Sequence, residues 1–158
     1  MKLPEEETTE ECKRWIQKTK KLEVGDVVLT HAYELNAKNI LHAVILKWID
    51  EKSNEYDLLG TTYLAALNMA EMMHCESIVF PLLVSRNNGF DFEVAFKIAK
   101  ESFKLCSGNN LKQIILVIYG QGLINLLNNR DTNILKLLIY QKEEKNQVTK
   151  INILRKRL

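Results

Sequence analysis

Glycine and proline are scarce in this chain: six and two in 158 residues. That excludes collagen-like and Gly/Pro-rich low-complexity readings. No apolar run approaches the ~20 residues that a membrane-spanning helix requires. The first residues carry Glu5, Glu6, Glu7, Glu10 and Glu11, where a secretory leader would be basic and then apolar. A cytoplasmic protein with no membrane partner is expected. Cysteine is limited to Cys12, Cys75 and Cys106, far apart and odd in number. Neither a disulfide framework nor a C-x-x-C metal pair is present, and three reduced, mostly buried thiols are expected. The three histidines, His31, His42 and His74, are too dispersed to supply a zinc site, so no metal is expected. A net charge of +2 is too small to imply a nucleic-acid partner. The acidic start and the basic end (Lys150, Arg155, Lys156, Arg157) read as solvated termini, which would also attract each other within a dimer.

What is present is an ordinary globular composition, 46% hydrophobic and 27% charged, in a length that suits one domain over 1–158. Glu5–Lys18 reads as a helix capped by Thr8 or Thr9 with Glu11, burying Trp15 and Ile16. Val27–Thr30 reads as a β-branched strand, and Ile40–Leu46 as a strand apolar on both sides. Tyr56–His74 is a helix, with Leu59, Tyr63, Leu67 and Ala70 at helical spacing. Ser77–Phe80 is a strand limited by Pro81. Phe92–Cys106 is a helix with Phe92, Phe96, Ala99 and Phe103 on one side, and Asp91 is placed to cap it. Lys112–Tyr119 is a strand and Gly120–Asn129 a short helix. Ile134–Tyr140 fits helix or strand, and Val148–Leu154 alternates as a strand. The alternation predicts an α/β fold: three layers, α/β/α, around a mixed, mostly parallel sheet.

Ser85-Arg86-Asn87-Asn88-Gly89 is the best candidate ligand loop. It lies between a strand and a helix N-terminus, where unpaired N–H groups favour anions, and Arg86 adds a bidentate donor. The competing reading is a plain turn. His42, inside an apolar strand, reads as a satisfied core histidine. Met69, Met72 and Met73 read as helix packing.

Four ordered segments resemble the macro domain, the ADP-ribose-binding family. Val24-Gly25-Asp26-Val27-Val28-Leu29-Thr30-His31-Ala32-Tyr33-Glu34-Leu35 is similar to its Gly-Glu-Ala strand and Thr-x-Gly-Tyr-x-Leu loop. Ile40-Leu41-His42-Ala43-Val44 resembles its Val-Ile-His strand. Ser77-Ile78-Val79-Phe80-Pro81 resembles its Ser-Ile-Ala-Phe-Pro strand, and Ser85–Gly89 sits at its Ser-x-Gly-x-x-Gly phosphate loop. The resemblance covers about Thr9–Asn129, with residues 131–158 as an extension. It implies a phosphate-loop role for Ser85–Gly89 and an adenine-side place for Tyr119. It also exposes departures. The family's Asn-Ala-Asn turn and Gly-Gly-Gly loop have no counterpart here, and Asn87 stands where a glycine would let the backbone approach phosphate. The resulting expectation is a degenerate, non-catalytic macro-like module with an interaction or assembly role, as a homodimer, with no cofactor and no catalytic residue. The alternative is a binder of ADP-ribose or a related nucleotide through 85–89; were it an enzyme, it would be ADP-ribosyl hydrolase-like.

Overall fold

The computed structural model describes residues 4–19, 21–33, 35–45, 54–83, 91–118, 134–141 and 151–157. In chain order the elements are α1 (Pro4–Thr19), β1 (Val27–His31), β2 (Asn39–Ala43), α2 (Glu55–Met72), β3 (Ser77–Pro81), α3 (Phe92–Lys104), β4 (Gln113–Ile118), β5 (Ile134–Gln141) and β6 (Ile151–Arg157).

The strands form two sheets. β1 and β2 make an antiparallel pair, with Val28 opposite His42 and Thr30 opposite Ile40. Gly25 enters it at φ 96°, a conformation that a side chain would strain. Its N–H donates to the Val44 carbonyl at 2.9 Å, which closes the mouth of the turn. The larger sheet runs β3-β4-β5-β6. β3 pairs with β4 in parallel, Phe80 beside Leu116. β4–β5 and β5–β6 are antiparallel. The α/β class with a mixed sheet is as the sequence predicts; among the described pairings β3–β4 is parallel and the other three are antiparallel. The ambiguous Ile134–Tyr140 run is a strand: paired with β4 on one side and β6 on the other, it completes its backbone hydrogen bonds in a sheet.

The core lies where α2 and α3 cover one face of this sheet. Leu59, Tyr63, Ala66, Leu67 and Ala70 of α2 meet Ala95, Ala99 and Phe103 of α3 over Phe80, Ile114 and Leu116. The spacing of these residues is the three-to-four repeat of a helix buried along one side. Tyr63, Phe80 and Phe103 form an aromatic triangle with ring centroids 5.4–5.5 Å apart. Val79 points to the opposite face of β3 and is 58% exposed. Pro81 is the last residue of β3 rather than the residue that stops it. On an edge strand its missing N–H leaves no ladder bond unmade.

Local expectations are corrected at three places. α1 starts at Pro4, so Thr8 and Thr9 lie inside the helix rather than at its start. Proline is well suited to a first helical turn, where its absent N–H would have no partner. Trp15 and Ile16 are 41% and 54% exposed rather than buried. β2 ends at Ala43, short of Leu46. The cysteines are free and half-buried. The predicted helix over 120–129 and Trp48 lie outside the described residues.

Candidate functional site

Every sequence-predicted ligand residue, Ser85, Arg86, Asn87, Asn88, Gly89 and Tyr119, lies outside the described residues. What the structure does supply is their frame. In the parallel pair β3–β4, Pro81 stands beside Val117. The Leu82 N–H prolongs the ladder by donating to the Val117 carbonyl at 3.2 Å. The chain therefore leaves β3 at Leu83 and β4 at Ile118 from neighbouring positions at one end of the sheet. In open α/β sheets this carboxyl-terminal end is where ligands bind.

The departure from β3 is anchored from below. Tyr63, fully buried in α2, accepts the Leu83 N–H on its hydroxyl at 2.9 Å. Burial pushes this phenol well above the ordinary tyrosine range, outweighing the opposing effect of that hydrogen bond. It is a neutral anchor at any working pH.

Asp91 bounds the other side of the segment. Its Oδ1 accepts the N–H groups of Glu93 at 2.9 Å and Val94 at 3.1 Å. This is the predicted N-cap. It has a second consequence: the N–H groups that an incoming phosphate would seek are already taken by a carboxylate, and Glu93 adds another negative group in the first turn. The helix terminus alone is therefore a poor anion site.

A second polar cluster joins α1 to the small sheet. Glu11 Oε2 accepts the His31 N–H and the Tyr33 hydroxyl, each at 3.1 Å, and Oε1 lies 3.2 Å from His31 Nδ1. Burial acts to raise the Glu11 pKa, but these donors outweigh it, and the carboxyl sits below its usual value. Tyr33 is held at φ 49°, a left-handed conformation unusual for an aromatic residue. Next to it, Thr30 Oγ1 and His42 Nε2 are 2.9 Å apart. The ring is satisfied, as expected, and burial lowers its pKa against the opposing pull of Glu11. A carboxylate engaged by three donors is a clamp rather than a general base. Sequence reasoning missed it because Glu11 and His31 are twenty positions apart, one on a helix and one on a strand. Among the described residues no group of three His, Cys, Asp or Glu side chains could hold a metal. None of the described helices is long and apolar enough to cross a membrane.

A family model for the macro domain matches residues 3–99. The chain belongs to the macro domain family. A macro domain-containing protein of Caldanaerobacter subterraneus is 31% identical over 97 residues, 61% of this chain and 55% of the relative. One of Xanthomonas campestris is 31% identical over 100 residues, 62% of this chain and 56% of that protein. The chain thus spans little more than half the length of these relatives. Among solved structures, the Oceanobacillus iheyensis macrodomain with ADP superposes with a TM-score of 0.66 at 21% identity, covering 75% of this chain and 69% of that one. The macro domain of ganglioside induced differentiation associated protein 2 gives 0.63 at 24%, covering 74% and 61%. A variant of the Oceanobacillus macrodomain solved with ADPR gives 0.62 at 22%, covering 69% and 60%. At these identities the superpositions establish the macro fold.

Proposed function

We propose that this macro domain binds a nucleotide carrying a pyrophosphate, of the ADP-ribose type, at the carboxyl-terminal end of β3 and β4. The observation that carries the reading is the side-by-side exit of the chain from Pro81–Leu83 and from Ile118, in a fold whose solved relatives include one with ADP and one with ADPR. In sequence Ser85–Gly89 follow the first exit and Tyr119 the second, which supports phosphate contacts by the former and an adenine contact by the latter. No catalytic residue is assigned, and the role is binding rather than turnover. The module works in the cytoplasm on this reading. Titration calorimetry of the full chain against ADP-ribose tests it: micromolar or tighter binding is expected, and no heat at high protein concentration overturns it.

A second role, assembly, is favoured by a separate observation. β3 is an edge of the larger sheet among the described strands, and Val79 on it is 58% exposed. Open edges with exposed apolar side chains pair readily with another strand, and a two-fold homodimer is the simplest such arrangement. Light scattering of the full chain at high concentration checks it; a strict monomer excludes the homodimer.

A further inference from the structure

α1 runs past the surface it rests on. Glu7 and Glu11, four positions apart on one side of the helix, are half-buried, and Glu11 is held by His31 and Tyr33. Trp15 and Lys18 continue that side over the next two turns. Both are exposed, however, and so is every other residue from 13 to 19. About two turns of helix therefore stand open to water all round. This overhang is not uniform. Cys12, Trp15, Ile16 and Thr19, at i, i+3, i+4 and i+7, share a side without charge. On it Trp15 and Ile16 leave 41% and 54% of their surface exposed. The other positions are Lys13, Arg14, Gln17 and Lys18. Charge along α1 is segregated: residues 4–11 carry five glutamates and no base, and residues 12–19 carry three bases and no acid. A helix of this kind repels a parallel copy of itself and attracts an antiparallel one, in which the macrodipoles also run head to tail.

We propose that α1 is a self-complementary docking helix, which pairs antiparallel with α1 of a second copy about a two-fold axis at Cys12. Positions equally far from Cys12 then stand level. Arg14 meets Glu10 of the second copy and Trp15 meets Thr9, all four of them exposed in the single chain. Cys12, Trp15, Ile16 and Thr19 form the seam, and opposite charges flank it, the arrangement that sets orientation in paired helices. An axis moved to Trp15 and Ile16 would bury more apolar surface, but it would set Lys13 against Lys18. A contact of one helix pair is small, so the dimer is weak and sensitive to salt. The inference rests on the assembly reading and gives it a contact independent of the β3 edge.

Sedimentation equilibrium of the full chain at low salt reads the dimer, with a Kd of about 10–100 μM expected. Trp15→Ala/Ile16→Ala should weaken it at least about tenfold. Arg14→Glu and Glu10→Lys should each weaken it about threefold or more. An equimolar mixture of these two single variants again sets opposite charges across the seam and should recover the wild-type Kd. The substituted side chains are exposed, and circular dichroism should show every variant folded. A short bismaleimide supplies a second readout on wild type: peptide mapping should join Cys12 to Cys12 of the second copy, and adducts confined to other cysteines overturn the seam. A dimer that survives Trp15→Ala/Ile16→Ala but dissociates on Val79→Lys also overturns it, and leaves assembly through β3 standing. A strict monomer at high concentration overturns both. Failure of the mixture to recover, when each single variant is dissociated, overturns the antiparallel pairing. A monomer that sediments with phosphatidylserine vesicles, and loses this on Trp15→Ala/Ile16→Ala, would replace the second copy with an anionic membrane surface.

Discussion

Removing the Tyr63 hydroxyl isolates one interaction with unusual cleanness. Tyr63→Phe keeps the ring, and with it the edge-on contacts to Phe80 and Phe103 at 5.4 and 5.5 Å. It removes only the acceptor of the Leu83 N–H. A buried N–H left without a partner costs about 1–3 kcal/mol. Part of that is returned because a buried phenol oxygen no longer has to be desolvated, so the net loss should be about 1–2 kcal/mol. For a chain of this length that is a fall of roughly 3–6 °C in Tm. Tyr63→Ala removes the ring as well and should cost about 3–5 kcal/mol. The gap between the two variants measures the aromatic triangle. Urea denaturation followed by tryptophan fluorescence reads both, and the same proteins should be titrated with ADP-ribose. Leu83 is where the chain leaves β3, so Tyr63→Phe should weaken nucleotide binding by more than its loss of global stability explains. A Tyr63→Phe protein as stable as wild type would show that the Leu83 N–H finds another partner at no cost, and the anchor would be discarded.

Other perturbations test other joints. The Glu71 carboxylate accepts the N–H groups of Asn110 at 2.9 Å and Leu111 at 3.0 Å, and a Cβ on Gly108 would overlap it. Gly108→Ala should therefore cost roughly 2–4 kcal/mol by displacing that clamp, and much less in a Glu71→Ala background, as a double-mutant cycle in urea would show. Asp91→Ala should cost about 1 kcal/mol through loss of the N-cap. Asp91→Asn should keep most of that stability while strengthening pyrophosphate binding, since it removes a negative charge from the helix terminus; calorimetry that finds weaker binding would contradict this. The lowered pKa of His42 has a definite sign. The unfolded state binds the proton more readily, so stability is highest above the unfolded value of about 6.5 and is lost as pH falls below it toward the folded pKa. His42→Gln should flatten the pH dependence of stability between pH 7 and 5, measured by urea midpoints.

Much of the architecture was legible in the chain because burial writes a period into it. Leu59, Tyr63, Leu67 and Ala70 announce α2, and Ser77–Phe80 and Ile114–Ile118 read as strands before any pairing is known. Strand direction was not legible. β5 and β6 lie antiparallel to the strand they extend, and nothing in a run such as Ile134–Tyr140 encodes whether its neighbour runs with it or against it. Thr8 and Glu11 offer a capping pattern that points to a later start for α1, and Pro4 pre-empts it a turn earlier. Trp15 and Ile16 read as the buried side of α1 because a large apolar residue on a helix usually is, yet α1 exposes both. At the candidate site, the family motifs direct attention to Ser85–Gly89 and Tyr119. They are silent on Tyr63, whose hydroxyl matters through a backbone group twenty residues on.

The two kinds of joint around β4 also bear on how the chain finds its fold. β5 and β6 pair antiparallel across a short sequence separation, and so do β1 and β2; contacts of that kind form in microseconds. β3 and β4 pair in parallel only after α3 has been laid across them, and the loop-closure entropy of that crossover has to be met before any ladder bond offsets it. The parallel joint should therefore be the slow step of assembly. It is also the joint that creates the end of the sheet proposed for the ligand, so a nucleotide bound there would stabilise the last-formed contact and act chiefly on the rate of unfolding.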